Sequence, residues 1–448
     1  MIHARRAFAG LTVVLTVLIC ALADPASAAN RIRLVSPGGI VAWFVQDSTV
    51  PLVAMEYSFV GGSAQDPADK PGVGNMMASL LDEGAADLDS KTFHERLERR
   101  AIEMNFSVSR DYLRGSLRML KNDAPEAFDL LRMALTSPRF DAEPVERIRS
   151  QIISGLRRET TMPNSVASRK FWEEAYGTHP YGHAPSGTLD SVQKLQAADL
   201  VDYKQRIIAK DTLKIAVVGD IDAASLGKLL DQTFGGLPAQ SRLAPVADID
   251  IAKKSARSFV QLDVPQTSIL FGGAGIKRDD PDFMAAFLVN HILASGSFSS
   301  RLYKEVREKR GLAYSVSESL VWMKHSPVYV GSTATRADKA GETLNTIAAE
   351  LVRMGTEGPT QQELDEAKSY LKGSQMLALD TSSKIAGALL QYQNDGLGID
   401  YIEKRSGIID AVTLEGTKRV AKKIWGPDFL AVSVGRAPVA SAQPPAAN

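Results

Sequence analysis

The sequence predicts an α+β fold in two homologous halves, each with a sheet that carries helices on one face. This prediction rests on three pairs of segments that recur at a nearly constant spacing. An apolar strand that leads to glycines begins at Pro51 and again at Pro265, 214 positions later. A shorter apolar strand ends at Gly219 and again at Gly435. The third pair is a helix face with apolar residues at i, i+3 and i+7, formed by Val145, Ile148 and Ile152 and again by Leu364, Ala367 and Leu371.

The repeat divides the chain into segments with different roles. We expect a signal peptide over residues 1–29, a first half over 30–245 and a second half over 257–436. Residues 246–256 have little periodicity and are predicted to link the halves, and the Pro- and Ala-rich residues 437–448 are predicted to form a disordered tail. Because ligand sites favour domain interfaces, a functional site is expected in the cleft between the halves.

The first segment has the three parts of a secretory signal peptide. Arg5 and Arg6 precede an uncharged, mostly aliphatic run over 11–23, and small residues follow over 26–28. The run is short for a membrane span, so an uncleaved anchor is the less favoured alternative and no stable membrane insertion is expected. Cleavage removes Cys20, the one cysteine, and a cysteine-free exported chain suits an oxidising compartment. We therefore expect a periplasmic or secreted protein.

Composition excludes several other classes of protein. Lys and Arg number 52 and so do Asp and Glu, which argues against a basic nucleic-acid-binding protein. A hydrophobic content of 44% and a charged content of 23% are ordinary globular values, so wholesale disorder is excluded. A single cysteine excludes an intramolecular disulfide framework and a cysteine-based zinc site.

Three stretches of sequence resemble motifs of the pitrilysin-type zinc peptidases, the family that includes the mitochondrial processing peptidase. They are residues 66–74 (DPADKPGVG), 179–183 (HPYGH) and 297–314 (SFSSRLYKEVREKRGLAY). The resemblance covers nearly the whole chain after the signal peptide, and the third stretch is the most specific. It implies that each sheet is mostly antiparallel and that the two halves form a clam-like cleft.

The zinc motif of this family is degenerate here. Active members carry H-x-x-E-H on a helix, where two histidines one turn apart bind Zn²⁺ and the Glu activates the metal-bound water. In the matching stretch Asn75 and Ser79 replace the histidines, and Ala78 replaces the Glu. Around the expected further Glu ligand the chain reads QIISG over 151–155, and H-x-x-E-H occurs nowhere in the sequence. The resemblance implies that this chain binds no zinc and hydrolyses no peptide alone.

The remaining histidines offer little replacement for that site. His179 and His183 have a spacing of four residues, but Pro180 and Gly182 between them oppose a helix. The family motif assigns both to a loop with a structural role. His94 lies in a charged helix and is expected to be solvated.

Two residues of the third motif are the candidate functional residues of this chain. In active family members an Arg and a Tyr at this spacing reach across the cleft, and by motif match they are Arg307 and Tyr314. The Arg binds the substrate backbone, and the Tyr hydroxyl supports the developing oxyanion. The alternative is structural: residues 304–310 would form a solvated charged helix face, and Tyr314 would open a strand and pack in the core.

The resemblance favours a non-catalytic, substrate-binding subunit of an exported heterodimeric zinc metalloendopeptidase. A homologous partner with H-x-x-E-H would bring the zinc, and this chain would bring Arg307 and Tyr314 to the peptide. The alternative is a catalytically inert scaffold or peptide-binding protein of the same fold. A third hypothesis is an enzyme with relocated chemistry at Asp82 and Glu83, although such carboxylates commonly end a helix in solvent.

Overall fold

The computed structural model describes residues 31–251 and 256–436, so the predicted signal peptide and tail lie outside the described residues. One mixed sheet occupies the first half. Its strands run in the order β1-β2-β6-β3-β5-β4, and all neighbours are antiparallel except β2 and β6. The strands are β1 (Arg31–Val35), β2 (Val41–Gln46), β3 (Leu52–Val60), β4 (Glu103–Val108), β5 (Tyr112–Leu120) and β6 (Lys214–Gly219).

The second half contains a sheet of five strands in the order β7-β11-β8-β10-β9. All neighbours are antiparallel except β7 and β11. When the edge strand β1 is set aside, the two sheets have the same order and the same pattern of directions, which agrees with the duplication read from the sequence. The strands are β7 (Ala256–Gln261), β8 (Gln266–Ala274), β9 (Ala313–Trp322), β10 (Pro327–Arg336) and β11 (Leu430–Gly435).

The helices fill the segments between the strands. Those of the first half are α1 (Val73–Ala78), α2 (Ser90–Arg99), α3 (Ala124–Thr136), α4 (Ala142–Glu159), α5 (Pro163–Tyr176), α6 (Leu189–Lys194), α7 (Ala197–Ile207) and α8 (Ala223–Phe234). Those of the second half are α9 (Phe283–Asn290), α10 (Arg301–Tyr303), α11 (Ala340–Glu357), α12 (Gln361–Leu377), α13 (Ser382–Asn394), α14 (Tyr401–Asp410) and α15 (Leu414–Ile424). Two π-helical turns, His291–Ser295 and Lys304–Glu308, follow α9 and α10.

Each sheet has one face covered by helices of its own half. In β3 the alternate residues Val53, Met55 and Phe59 are fully buried against those helices, as the two-residue period of a strand requires. Ile269 and Phe271 of β8 do the same in the second half. The predicted arrangement of two mostly antiparallel sheets, each with helices of its own half on one face, is therefore confirmed.

The opposite faces of the sheets are also covered, and there the two halves exchange helices. Helix α5 of the first half packs on β8 and β11, and helix α13 of the second half packs on β3 and β6. Phe171 of α5 is fully buried beside Val432 of β11, and Leu389 of α13 is fully buried beside Val218 of β6. This reciprocal exchange was not predicted from the sequence. Amphipathic periodicity shows that a helix has an apolar face, but it does not show which sheet that face covers.

Among the described residues no helix is both long and apolar enough to cross a membrane.

Candidate functional site

Helix α1, which carries the degenerate motif, begins at a constrained turn. Gly72 caps it with a backbone φ of 96°, a conformation that glycine adopts without strain. The carboxylate of Asp66 accepts hydrogen bonds from the backbone N–H of Gly72 at 2.7 Å and of Gly74 at 3.1 Å. Burial raises the pKa of Asp66 to about 7, although those hydrogen bonds oppose the shift. The motif helix is therefore fixed at its start by a carboxyl that has a structural task.

The structure places the three motif positions together on α1 and at its end. Asn75 and Ser79 are half-buried and one turn apart, and Ala78 is 2% exposed. The Ser79 hydroxyl donates to the backbone carbonyl of Asn75 at 2.9 Å. An amide, a hydroxyl and a methyl group do not supply the His nitrogens and carboxylates that Zn²⁺ prefers. These residues do not fit the family's metal, and no chemical step can be assigned to zinc on this chain.

The region of the expected further ligand gives the same result. Helix α4 packs against α1 and carries residues 151–155, where Gln151 and Ser154 are exposed and no acidic side chain is present. Within 31–251 and 256–436, no group of three or more His, Cys, Asp or Glu residues is arranged to hold a metal ion.

Of the two carboxylates after α1, Glu83 ties helices together. Glu83 accepts hydrogen bonds at 2.5 Å from both Arg147 of α4 and Ser90 of α2. Burial would raise the pKa of Glu83, but these hydrogen bonds outweigh it and hold that pKa below its usual value. His94 lies 3.5 Å from the same carboxylate and is partly exposed rather than fully solvated. Glu83 is thus fully engaged in packing, which removes the basis for relocated chemistry at this residue.

The HPYGH stretch forms a loop around a short 3₁₀ turn, Pro180–Gly182. His179 uses both ring nitrogens there: Nδ1 accepts from the Tyr181 N–H at 3.2 Å, and Nε2 donates to the Ala247 carbonyl at 3.0 Å. His183 is exposed. This arrangement joins the loop to the segment that links the halves and leaves His179 without a free lone pair for a metal.

Arg307 and Tyr314 lie together on the surface of the second half. The Arg307 guanidinium sits 4.4 Å from the centre of the Tyr314 ring and 5.0 Å from the centre of the Tyr303 ring, and it donates a hydrogen bond to the Tyr303 hydroxyl. Stacking of this kind holds a guanidinium by cation–π attraction. Tyr314 is the second residue of β9 and is 80% exposed, so the alternative that it packs in the core is wrong.

The other charges of this segment are neutralised locally. Glu305 pairs with Lys309 at 2.6 Å and also with Arg310, and those two hydrogen bonds hold the pKa of Glu305 below its usual value. Arg307 differs from them because it has aromatic rather than acidic neighbours. The structural alternative, an ordinary face of ion pairs, describes Lys309 and Arg310 but not Arg307.

A buried ion pair supports this segment from beneath. Arg301 donates two hydrogen bonds to Glu363 at 2.7 Å and one to the Gly358 carbonyl at 3.0 Å. Burial opposes ionisation, but the bonds from Arg301 and Thr360 lower the pKa of Glu363 to about 2. The pair ties α10 to the start of α12, which gives Arg301 a structural role in this segment.

Sequence reasoning missed four exposed apolar side chains of the second half. We call Phe298, Tyr314, Tyr370 and Leu377 the aromatic surface. Its members Tyr314, Leu377, Phe298 and Tyr370 have the highest exposed fractions of any large apolar side chain among the described residues, 80%, 76%, 69% and 59%. Large exposed apolar patches commonly mark interaction sites.

Two of these exposed side chains make ring contacts with neighbouring residues. Phe298 and Tyr303 meet edge to face at 5.1 Å, and Tyr370 stacks on His291 at 4.9 Å. Gly296 lies against the same His291 ring. Both π-helical turns of the described chain border this surface, and such turns are frequent at functional sites. These turns could not be predicted from the sequence, because π turns have no periodicity of their own.

Two family models match the chain. Residues 44–188 match the model described as Insulinase (Peptidase family M16), and residues 194–371 match the model described as Peptidase M16 inactive domain. The matches together include α1 and the segment with Arg307 and Tyr314.

Individual relatives are similar over most of their length. A protein of Helicobacter pylori named non-peptidase homolog YmxG is 25% identical over 372 residues, or 83% of this chain and 86% of that one. A probable mitochondrial-processing peptidase subunit beta of Schizosaccharomyces pombe is 25% identical over 412 residues, or 88% of this chain and 87% of that one. A crystal structure described as a peptidase M16 inactive domain from Pseudomonas fluorescens superposes with a TM-score of 0.86 at 29% identity, covering 93% of this chain and 99% of that one.

Proposed function

The chain belongs to the M16 peptidase family, and from that premise we propose that it is a non-catalytic, substrate-binding subunit of an exported heterodimeric zinc metalloendopeptidase. A homologous partner with H-x-x-E-H supplies the zinc and the catalytic Glu. This chain supplies Arg307 and Tyr314, which bind the peptide and support the oxyanion at the partner's site. The proposed site of action is the periplasm or the exterior of the cell, since residues 1–29 have the pattern of a cleavable signal peptide.

The observation that carries this proposal is the contrast between the two halves. On α1 the positions of the zinc motif hold Asn75, Ala78 and Ser79, which cannot serve as its ligands and base. On β9 and the preceding π turn, by contrast, Tyr314 and the Arg307 guanidinium remain at a solvent-exposed surface. A chain retained only as packing would have no need of an exposed tyrosine stacked on an arginine.

The stacked arrangement of Arg307 and Tyr314 suits the two side chains to binding a peptide. Arg307 is permanently charged and its guanidinium has five N–H donors, of which one is used on Tyr303. The exposed phenol of Tyr314 can donate to a carbonyl oxygen on which charge develops. Because the guanidinium is held by two rings, its side chain loses less freedom when a peptide binds.

Reconstitution with the H-x-x-E-H partner tests the proposal. We expect the pair of chains to cleave peptides faster than the partner alone, and we expect Arg307→Ala and Tyr314→Phe each to lower kcat/KM by about tenfold or more, the effect of removing one transition-state donor. Lys304→Ala is the matched control, because it removes an exposed cation from the same π turn without touching either ring.

Three outcomes would count against the proposal. Full activity of the partner without this chain would show that no second subunit is needed. Normal activity of the Arg307→Ala, Tyr314→Phe double variant would favour the inert scaffold or peptide-binding protein. Stoichiometric zinc and autonomous proteolysis by the purified chain would show that it is an enzyme in its own right.

A further inference from the structure

A cavity of about 620 Å³ lies where the first sheet meets the second half. Its floor is formed by β1, β2 and β6, and its roof by Gln393 in the last turn of α13 and by Gly396 and Leu397 just after that helix. The volume falls in the range of small-molecule sites, about 300–1,000 Å³. The cavity is remote in sequence from the motif positions and from Arg307, and nothing in the proposed function uses it.

Three side chains form a row across the floor of this cavity. Arg33 of β1 lies directly opposite Trp43 of β2, and Trp43 lies opposite Ala216 of β6, two residues from Lys214. Residues opposite one another, and residues two apart on a strand, point to the same face of a sheet. An indole ring is therefore flanked on neighbouring strands by a guanidinium and an ammonium group.

The lining of this cavity carries basic side chains without acidic side chains to balance their charge. Lys210 is a third cation there, and among the described residues no carboxylate lines the cavity. Arg33 and Lys214 make no ion pair within the described chain, and the Lys210 ammonium donates to the Gly235 carbonyl at 3.0 Å. In a chain with no net charge, three such cations around one cavity form a local excess.

Two neighbouring charged side chains outside the lining have partners of their own, and Glu56, on the same sheet face opposite Ala216, is half-buried near Arg114. Arg31, two residues before Arg33 on β1, is paired with Glu403 of α14. Asp231, the carboxylate beside the cavity wall, accepts hydrogen bonds from the Ser36 hydroxyl and the Gly38 N–H. Arg31 and Asp231 therefore have partners, whereas Arg33 and Lys214, which are exposed at the cavity, make no ion pair within the described chain.

A structural role for these cations is the competing explanation. Helix α13 ends at Asn394, and cations near the C-terminal end of a helix stabilise it. That effect needs neither a cavity nor an adjacent indole ring. It also accounts for one or two charges near the last turn rather than for a row that begins on the edge strand β1.

We propose that this cavity binds an anionic ligand, whose carboxylate or phosphate group is held by Arg33 and Lys214 and whose apolar part lies on Trp43. Lys210 contributes to the attraction from the side wall. Because Gln393 and Gly396 belong to the second half, a ligand in the cavity contacts both halves and holds them together.

Calorimetric titration of the full-length exported chain tests the proposal. The probes are inorganic pyrophosphate and a tripeptide ending in phenylalanine with either a free or an amidated C-terminus. We expect at least one anionic probe to bind and to raise the midpoint of thermal unfolding, since a ligand that binds only the folded state stabilises it. Arg33→Gln and Lys214→Gln should each weaken that binding by about tenfold, the usual scale of a lost charge-assisted hydrogen bond.

Lys228→Gln is the matched control, because Lys228 is an exposed lysine of α8 outside the cavity lining. Binding of pyrophosphate alone would identify a phosphate-bearing ligand, and binding of the free but not the amidated peptide would identify a peptide C-terminus. Failure of every anionic probe to bind would overturn the proposal. Equal binding by the cavity variants and the control would also overturn it. A lower unfolding midpoint of the cavity variants with unchanged binding would show that the cations stabilise the end of α13 instead.

Discussion

Arg307 shows how much of a residue's role depends on its neighbours. By sequence it belongs to a run of charged residues in which Glu305 and Glu308 offer ordinary ion pairs. In the structure Glu305 is taken by Lys309 and Arg310, and Arg307 turns to Tyr303 and Tyr314. The sequence motif predicted that Arg307 and Tyr314 act together. The motif did not predict Tyr303 as the residue that holds Arg307, although a spacing of four residues places the two side chains on one helix face.

Glu318 provides a prediction at the same scale. This residue of β9 is fully buried, and one oxygen of its carboxylate accepts from Asn290 at 3.0 Å and from Trp425 at 2.9 Å. Burial raises its pKa to about 7, although those hydrogen bonds oppose the shift. A raised pKa means that the folded state holds the proton more tightly, so the contribution of Glu318 to stability is full below the unfolded value of 4.5 and falls as pH rises through about 7.

The variant Glu318→Gln keeps an acceptor at this position and removes the charge that forms at high pH. We expect it to unfold at about the same urea concentration as wild type at pH 5, and to be about 2 kcal/mol more stable than wild type at pH 8. Urea titrations at both pH values measure the difference. Equal effects of the substitution at pH 5 and pH 8 would show that Glu318 stays in one protonation state across that range.

The exchange of helices is the main feature at the scale of elements. Gly272 of β8 makes room for it, since a Cβ added there would lie 2.8 Å from the ring of Phe171 on α5. Gly272 lies inside β8, so it allows a close approach within the strand and does not mark a turn at its end. The strands could be predicted because burial of one face gives their sequence a two-residue period of apolar side chains. The sheet that α5 covers could not be predicted, because it depends on the path of the chain.

The substitution Phe171→Ala tests how much the packing of α5 on the second sheet contributes to stability. Phe171 is fully buried among residues of the second sheet, so truncation should cost about 3–5 kcal/mol of stability. Phe259→Ala is the matched control, because Phe259 lies on the same sheet but is 47% exposed, and it should cost less than about 1 kcal/mol. Hydrogen exchange locates the effect: amides of β8 and β11 should lose protection, although the substituted residue belongs to the first half. Loss confined to the first half would mean that α5 does not stabilise the second sheet.

At the scale of the whole molecule, the halves are joined by polar contacts as well as by exchanged helices. Asp111 of the first half accepts from the backbone N–H of Lys324 in the second half at 3.0 Å, and its other oxygen accepts from the Tyr181 hydroxyl. Arg114 of β5 donates to Gln391 of α13 at 2.6 Å. The duplication and the expected cleft could be read from the sequence, but these contacts join residues with no common pattern. We therefore expect each half to be an incomplete folding unit, although the repeat alone suggests two independent ones.

A cut between the halves tests this dependence. We expect a chain with a protease site inserted at residues 252–255 to remain one complex of unchanged size after cleavage, as measured by size-exclusion chromatography. We expect this because α5 and α13 are buried against the sheets of the opposite halves, and those contacts need no covalent link once they have formed.

Separate expression of the two halves, residues 30–245 and 257–436, is a second test. Each half should be unstable alone, since each would expose the sheet face that the missing helix covers, and the two should form a folded complex when they are co-expressed. Two separately folded halves of half the original size would show instead that the repeat units are autonomous and that the exchanged helices contribute little.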